Sequence, residues 1–272
     1  VELYLKRVIV GGFDRVFEIT KDFRNEGMDM SHSPEFTMLE LYEAYADYHR
    51  IMELTEGMVK YCSRQLFGLE EIQVLGKKID LSGTWPKISM SDLVKEKTGL
   101  DYETTPIEEF STYAKNHKLE VSGDESKGML MYTIFDHLIT PDLISPIWII
   151  DYPIEVSPLA KKHPDKPGFV ERFEGYIGGI ELCDGWSEIN DPTDQLSRFE
   201  NEQKAMKKGK KDDAHPVDHD FIEALEYGMP PTGGIGIGID RLTMFFTDTW
   251  SIREVQLYPL MRPEKSNIHA EE

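Results

Sequence analysis

Thr232-Gly233-Gly234-Ile235-Gly236-Ile237-Gly238-Ile239-Asp240-Arg241 is the stretch around which the rest of the chain is arranged. From Gly234 to Ile239 the residues alternate strictly, which is the period of a β-strand. Ile235, Ile237 and Ile239 face a core, and Gly234, Gly236 and Gly238 leave the opposite face bare. Glycine weakens a strand, so three on one face need a reason. Two reasons are open: a flat ligand lying against the backbone, or a neighbouring element packed very close. Residues 240–246 form an amphipathic run suited to a helix. Arg241 then stands where strand becomes helix, beside the positive ends of backbone dipoles. A planar base on the glycines and a phosphate at the arginine would satisfy both features. A tightly packed strand with a surface arginine would satisfy them as well.

Upstream, Arg172-Phe173-Glu174-Gly175-Tyr176-Ile177-Gly178-Gly179-Ile180-Glu181-Leu182-Cys183 reads as a hairpin closed at Gly178-Gly179. That turn pairs Ile177 with Ile180 and Tyr176 with Glu181. Glu174 then projects from the same face as Glu181, on the diagonal, where backbones are roughly 7–8 Å apart. Two carboxylates so placed suit Mg²⁺, which takes one or two carboxylates plus substrate phosphates. An acidic hairpin without metal is the alternative. Asp184, Trp186 and Glu188 alternate onward with a parity that differs from Glu181. A bulge near Gly185 would turn them all to one site.

Residues 1–10 read as an apolar strand with Glu2 near its start, broken by Gly11-Gly12. Residues 15–19 and 36–42 form an antiparallel pair joined by a long loop of the functional kind. On the second strand Phe36, Met38, Glu40 and Tyr42 share one face and Leu39 and Leu41 the other. The first face is either the wall of an amine site or a wet outer surface. Asp47 caps a helix to residue 67, with Ile51, Leu54, Met58, Cys62 and Leu66 as its core stripe. Residues 68–140 read as an insertion or side layer. It has a turn at Gly76-Lys77-Lys78, a helix start near Ser89, another with Pro106 at the first helical position, and a packed helix over 129–138. Residues 147–152 make a short buried strand ended by Pro153. Helices follow over 194–208 and 221–227, and residues 252–263 close with a strand and a tail. The run Lys207 to Lys211 reads as a solvated loop, and His215 and His219 as plain surface.

The 272 residues suffice for one large domain, or one with an insertion. A net charge of −20 argues against a broad nucleic-acid footprint, which should be basic. No apolar run approaches the roughly 20 residues of a membrane span. Two cysteines are too few for a disulfide framework and suit a reducing, cytoplasmic compartment. Beginning at Val1 without a methionine or signal peptide, the chain reads as a fragment or processed form.

Phe23-Arg24-Asn25-Glu26-Gly27 with residues 32–36 resembles motif 2 of the class II aminoacyl-tRNA synthetases, and residues 234–241 resemble their motif 3. Gly178-Gly179-Ile180-Glu181, Ser187-Glu188-Ile189-Asn190-Asp191 and residues 152–159 resemble the lysyl-tRNA synthetase family in particular. The resemblance covers nearly the whole chain in order. It implies an α+β fold, an antiparallel β-sheet flanked by helices, in agreement with the hairpins above. It implies formation of lysyl-adenylate from L-lysine and ATP with Mg²⁺, then transfer of lysine to the 3′ end of tRNA(Lys). By resemblance, Arg24 bridges the α-phosphate and the amino-acid carboxylate, and Arg241 holds the γ-phosphate. His32 lies near the outer phosphates. Phe36 stacks on adenine opposite the glycine strand, with Glu26, Glu181, Gly236 and Gly238 completing the ATP site. Glu174 and Glu181 match the magnesium ligands. Glu2, Arg24, Glu40, Tyr42, Asp184, Trp186 and Glu188 match the lysine pocket, Glu40 at the α-amino group and Glu2, Glu188 and Tyr42 at the side-chain end.

Three departures stand out. Asp184 replaces the usual asparagine and adds a negative charge near the substrate carboxylate. Trp186 replaces phenylalanine or tyrosine. The N-terminal anticodon-binding barrel and the dimer-forming motif 1 lie outside these residues, so weak tRNA recognition and an incomplete form of the family's homodimer interface are expected. A paralogue that attaches lysine or an analogue to a protein, or a non-catalytic synthetase-like regulator, are the alternatives.

Overall fold

The computed structural model describes residues 1–24, 27, 29–74, 76–207 and 217–261. Glu26, His215 and the end of the expected tail lie outside them. Among the described residues no helix is long and apolar enough to cross a membrane.

A seven-stranded sheet in the order β1-β2-β9-β8-β7-β6-β5 forms the centre. Its strands are β1 (Arg15–Phe23), β2 (Glu35–Ala44), β5 (Lys87–Ser89), β6 (Ile147–Pro153), β7 (Phe169–Ile177), β8 (Ile180–Ser187) and β9 (Thr232–Gly238). Every pairing is antiparallel except β5 with β6. A separate hairpin, β3 (Glu71–Val74) with β4 (Lys77–Asp80), spans the turn expected at Gly76.

The glycine strand lies between the two hairpins read from the sequence. Tyr42 and Trp186 stand opposite Gly234, and Glu40 and Asp184 opposite Gly236. On β7, Arg172 stands opposite Trp186 and Glu174 opposite Asp184. Directly paired residues share a face. Two rows therefore cross the sheet: Tyr42, Gly234, Trp186, Arg172, and Glu40, Gly236, Asp184, Glu174.

The second row needs a bulge, and its position corrects the expectation at Gly185. Pairing passes from Tyr176–Glu181 to Gly175–Cys183, so Leu182 is the extra residue. Glu181 thereby shares a face with Asp184 and Trp186. Glu174 sits squarely opposite Asp184 and, two residues from Tyr176, on the expected diagonal to Glu181. Gly185 has no room for the irregularity: a Cβ there would meet the Gly234 carbonyl oxygen at 2.6 Å and the Phe173 ring at 2.7 Å.

Residues 1–10 are helical, not extended: α1 spans Glu2–Val10. The β-branched run Val8-Ile9-Val10 favours a strand locally, but packing against β2 and the helix α7 (His219–Glu226) overrides it. The helical form stacks Glu2 and Lys6 one turn apart. In α2 (Tyr48–Phe67), Asp47 caps the first turn, accepting from Arg50 N at 2.9 Å, and Gly68 ends it in the left-handed region. Its buried stripe is Tyr48, Ile51, Met52, Thr55, Val59 and Ser63, and Leu66 is exposed. The stripe is rotated from the expected one because Thr55 and Ser63 bond to backbone carbonyls and can be buried.

Helices α3 (Met90–Thr98), α4 (Ile107–Asn116) and α5 (Lys127–Ile134) carry a second core packed on β6 and β7. Ser89 caps α3 as expected, whereas Pro106 occupies the cap of α4 rather than its first turn. The expected helix over 129–138 becomes a π-helical turn after Ile134. Helices α6 (Pro192–Lys207) and α7 lead to β9, and α8 (Ile239–Thr247) follows it. The expected closing strand is instead a four-residue helix, α9 (Ile252–Val255), tied to the loop before β2 by Ile252 N on the Met30 carbonyl at 2.8 Å. Ile252 is buried but Leu257 and Tyr258 face solvent, so this segment lacks a strand's alternation.

A Gly185→Ala variant should lose about 1–3 kcal/mol, because neither the Gly234 backbone nor the Phe173 ring can yield. A lower urea midpoint at unchanged slope is the expected reading.

Candidate active site

One cleft of about 350 Å³ collects Glu2, Arg24, His32, Phe36, Glu40, Tyr42, Glu174, Glu181, Asp184, Trp186, Glu188, Gly236, Gly238 and Arg241. These are all the sequence-predicted site residues except Glu26. A second hollow of about 600 Å³ shares Arg24, Glu40, Asp184 and Trp186. The bare glycine row is the floor.

Arg24 follows β1, with its backbone N–H on the Pro34 carbonyl and its guanidinium 5.3 Å from the centre of the Phe36 ring. Across the floor, Arg241 in the first turn of α8 donates from Nη1 to the Glu181 carbonyl at 2.9 Å and lies 3.3 Å from Glu181 Oε2. Its Nη2 is 3.4 Å from His32 Nε2, and His32 Nδ1 is 2.8 Å from Asp29 Oδ2. Gly236 and Gly238 keep the floor between these cations free of side chains: a Cβ would meet Met38 Sδ at a tight 3.2 Å and the Arg241 stem at an ordinary 3.6 Å.

The other end is acidic and dry. Trp186 Nε1 donates to Glu188 Oε2 at 2.9 Å, and Tyr42 O–H to Glu40 Oε2 at 2.6 Å. Burial, and then the neighbouring charge of Glu2, push the Glu40 carboxyl up to about 7. Lys6, not anticipated from the sequence, lies 2.5 Å from both Glu2 Oε1 and Glu188 Oε2.

Between the ends, Arg172 grips two carboxylates. Its Nε and Nη2 donate to Asp184 at 2.9 and 2.8 Å, and Nη2 also to Glu174 Oε1 at 2.6 Å. Nη1 donates to the Val156 carbonyl at 2.8 Å. Glu174 Oε2 accepts from Tyr152 at 2.8 Å and from Tyr176. Burial pushes both carboxyls up, and Arg172 opposes it. The extra charge at position 184 is thus met by a two-oxygen fork. Arg172 was legible in principle, two residues before Glu174 on the same strand face. Tyr132, which also lines the cleft, comes from α5, in the region read as poor in chemistry. Among the described residues no three His, Cys, Asp or Glu side chains converge as a metal cage. Glu174 and Glu181 do lie close enough for the charge on Glu181 to raise Glu174. Glu181 could offer its carboxylate to a magnesium ion that takes its remaining ligands from phosphates and water, whereas Glu174 would have to give up one of Arg172, Tyr152 and Tyr176 to share it.

A sheet of this order, a cation at each side of a bare strand and an acidic far wall define a class II tRNA synthetase catalytic fold. The family model for class II tRNA synthetases (D, K and N) matches residues 1–262, and the chain belongs to that family. Within it, the chain is 51% identical over 266 residues to a lysine–tRNA ligase of Clostridium acetobutylicum, covering 96% of this chain and 52% of that protein. It is 51% identical over 263 residues to one of Staphylococcus aureus (96% and 53%) and 49% over 265 to one of Thermoanaerobacter pseudethanolicus (97% and 53%). The chain spans about half the length of these curated relatives.

Glu40 gives a pH prediction. Its carboxyl rises on folding from an ordinary 4.5 to about 7, so the native state holds the proton longer. The stability this contributes is complete below about pH 4.5 and lost as pH climbs through about 7, up to roughly 3 kcal/mol. Glu40→Gln should remove that loss, and urea midpoints for variant and parent should diverge as the pH is raised from about 5 to 8.

Proposed function

We propose that these 272 residues form the catalytic core of a lysine–tRNA ligase. It would activate L-lysine with ATP to lysyl-adenylate and pyrophosphate, then pass lysine to the 3′ end of tRNA(Lys). The observation that carries the reading is the polarity of the cleft. Carboxylates Glu2, Glu40 and Glu188 gather at one end, and Arg24 and Arg241 flank the open glycines at the other. An amine with a carboxylate at its opposite end, beside a nucleoside triphosphate, matches both ends. An acidic side chain would meet Glu2 and Glu188 and be repelled, which disfavours aspartate.

In this reading adenine lies on Gly236 and Gly238 under Phe36, with Glu26 and His32 at the edges of the ATP site. Arg241 holds the γ-phosphate. Arg24 spans the α-phosphate and the lysine carboxylate, where a planar, permanently charged fork is needed. Glu40 receives the α-ammonium, and Glu2, Tyr42 and Glu188 the ε-ammonium, with Trp186 as a wall. Asp184, neutralised by Arg172, acts as a hydrogen-bond acceptor beside the carboxylate. The lysine carboxylate is itself the nucleophile, so no side-chain base is required. Catalysis is positioning with charge stabilisation. Magnesium, held by Glu181 with Glu174, would neutralise charge on the phosphates.

The paralogue reading draws on the anticodon-binding domain lying outside these residues and on Asp184, and the Arg172 fork gives Asp184 a role compatible with lysine. tRNA is bound weakly by these residues alone. A homodimer and a cytoplasmic location are further parts of the proposal, the latter supported by two unpaired cysteines.

The test is ATP–pyrophosphate exchange with lysine, ornithine, β-lysine, aspartate and asparagine in parallel. Exchange with lysine alone is expected, and exchange with another amine alone would overturn the substrate. Arg24→Ala should cut lysine-dependent exchange by about 100-fold or more without lowering the melting temperature. Near-normal turnover would overturn its role. Asp184→Asn should leave lysine use within about threefold of the parent, since Arg172 already cancels the charge it removes.

A further inference from the structure

The acidic end of the cleft already contains an ammonium group, the protein's own. Lys6 is 1% exposed, and its Nζ stands 5.7 Å from the centre of the Tyr42 ring and 5.6 Å from that of Trp186. Burial alone would discharge it, but Glu188 and Glu2 outweigh that and keep it charged. The two oxygens of Glu188 are not equivalent. Oε2 takes both Lys6, at 2.5 Å, and the Trp186 indole, at 2.9 Å. Oε1 is buried with no hydrogen-bond partner among the described residues. It sits over the bare Cα of Gly234, where a Cβ would meet it at 2.2 Å. A carboxylate oxygen buried unpaired is costly and points to a missing donor.

We propose that Lys6 is a positioning residue of the amine pocket: a resident counter-ion that favours the ionised form of Glu188 and occupies its Oε2, so that Oε1 is the acceptor left for the incoming ammonium. The proposal rests on the reading of the cleft as an amine-activating site.

The charges facing Glu188 are Glu2 and Lys6 from α1 and Glu40 from β2, with Tyr42 from β2 as a further titratable group. Asp184 on β8 is already gripped by Arg172 on β7. Burial pushes Glu188 up and Lys6 draws it back. Without Lys6, Glu2 and Glu188 would be two like charges in one dry cage, and one would take up a proton. An incoming ammonium would then have to displace that proton. With Lys6 present, the trio carries one negative charge, matched to one ammonium. Because Oε2 is occupied, a guanidinium also finds no two-oxygen fork, which favours a primary amine over arginine.

The experiment is lysine-dependent ATP–pyrophosphate exchange by the full chain as parent and Lys6→Met, from about pH 6.5 to 8.5, with a melt of each protein. Lys6→Met should raise the lysine KM at least about tenfold near pH 7, leaving the ATP KM and kcat within about threefold. The excess should shrink as pH rises and the trapped proton is lost. A KM shift flat with pH would mean that Lys6 only packs and would overturn the proposal. If Lys6→Met does not fold, nitrogen-15 NMR of the Lys6 ammonium in the parent decides. A slowly exchanging resonance that persists at lysine saturation supports residence, and loss of protection means that substrate displaces Lys6 and overturns it. A parent with no lysine-dependent exchange overturns the activation reading and this proposal with it. A parent that exchanges, beside an unaltered Lys6→Met, overturns this proposal alone.

Discussion

Carboxylates can be concentrated in a buried cleft only if cations are built into its walls. An isolated buried charge costs several kcal/mol, and neighbouring like charges raise that cost. In this protein Arg172 spans Asp184 and Glu174, Lys6 spans Glu2 and Glu188, and Arg241 faces Glu181. The choice of cation follows the geometry. Arg172 must reach two carboxylates, the Val156 carbonyl and the Ser157 hydroxyl in fixed directions, which the planar fork of guanidinium allows. Lys6 meets two carboxylates and two rings converging on one point, which suits a compact ammonium. The sheet's register brings these partners together, so the fold and the charge pairing depend on one another.

The glycine strand answers to both constraints left open by its sequence, at different positions. Gly233 and Gly234 are bare because neighbours fill the space. A Cβ on Gly233 would meet Ile51 at 2.5 Å, and one on Gly234 would meet Glu188 at 2.2 Å and Tyr42 at 2.4 Å. A Cβ on Gly236 would meet the far end of Met38 at 3.2 Å and one on Gly238 the Arg241 stem at 3.6 Å, and both glycines border the cleft. Close backbone packing therefore accounts for the Glu188 end of the strand, and a floor free of side chains for the end near Arg241. The same alternation serves a narrow dry cage and a flat floor within seven residues of β9.

Much of the site was legible because β-strands encode their faces by parity. Glu40 with Tyr42, Trp186 with Asp184, and the Gly178-Gly179 turn needed only the period of two. The misreadings share one cause, in that tertiary packing decided between locally equivalent patterns. Residues 1–10 alternate well enough for a strand, and only the surfaces of β2 and α7 select the helix. Reading a strand there hid Lys6, whose meaning lies in being one turn beyond Glu2. The bulge had to exist for the acidic residues to converge, but its place at Leu182 is set by contacts no local pattern displays: Gly185 against the Gly234 carbonyl and the Phe173 ring. Arg172 was overlooked for a different reason. A lone arginine beside an acidic motif usually marks solvated surface, and its burial becomes evident only when Glu174 and Asp184 are opposite each other.

The cations of the cleft are also sorted by how firmly they are held. The side chains of Lys6 and Arg172 are 2% and 12% exposed, and their close contacts to carboxylates leave them committed. The Arg24 side chain is 52% exposed, and that of Arg241 is 20% exposed, with a 2.9 Å bond to the Glu181 carbonyl and the side chains of Glu181 and His32 at 3.3 and 3.4 Å. Long, solvated contacts are weak and easily exchanged. The short buried pairs hold the protein's own carboxylates, whereas the longer ones stand where an anionic ligand would compete for the arginines. A cleft arranged this way keeps its acidic end fixed while its basic end can reorganise, so the two ends differ in how readily they would adapt to a ligand.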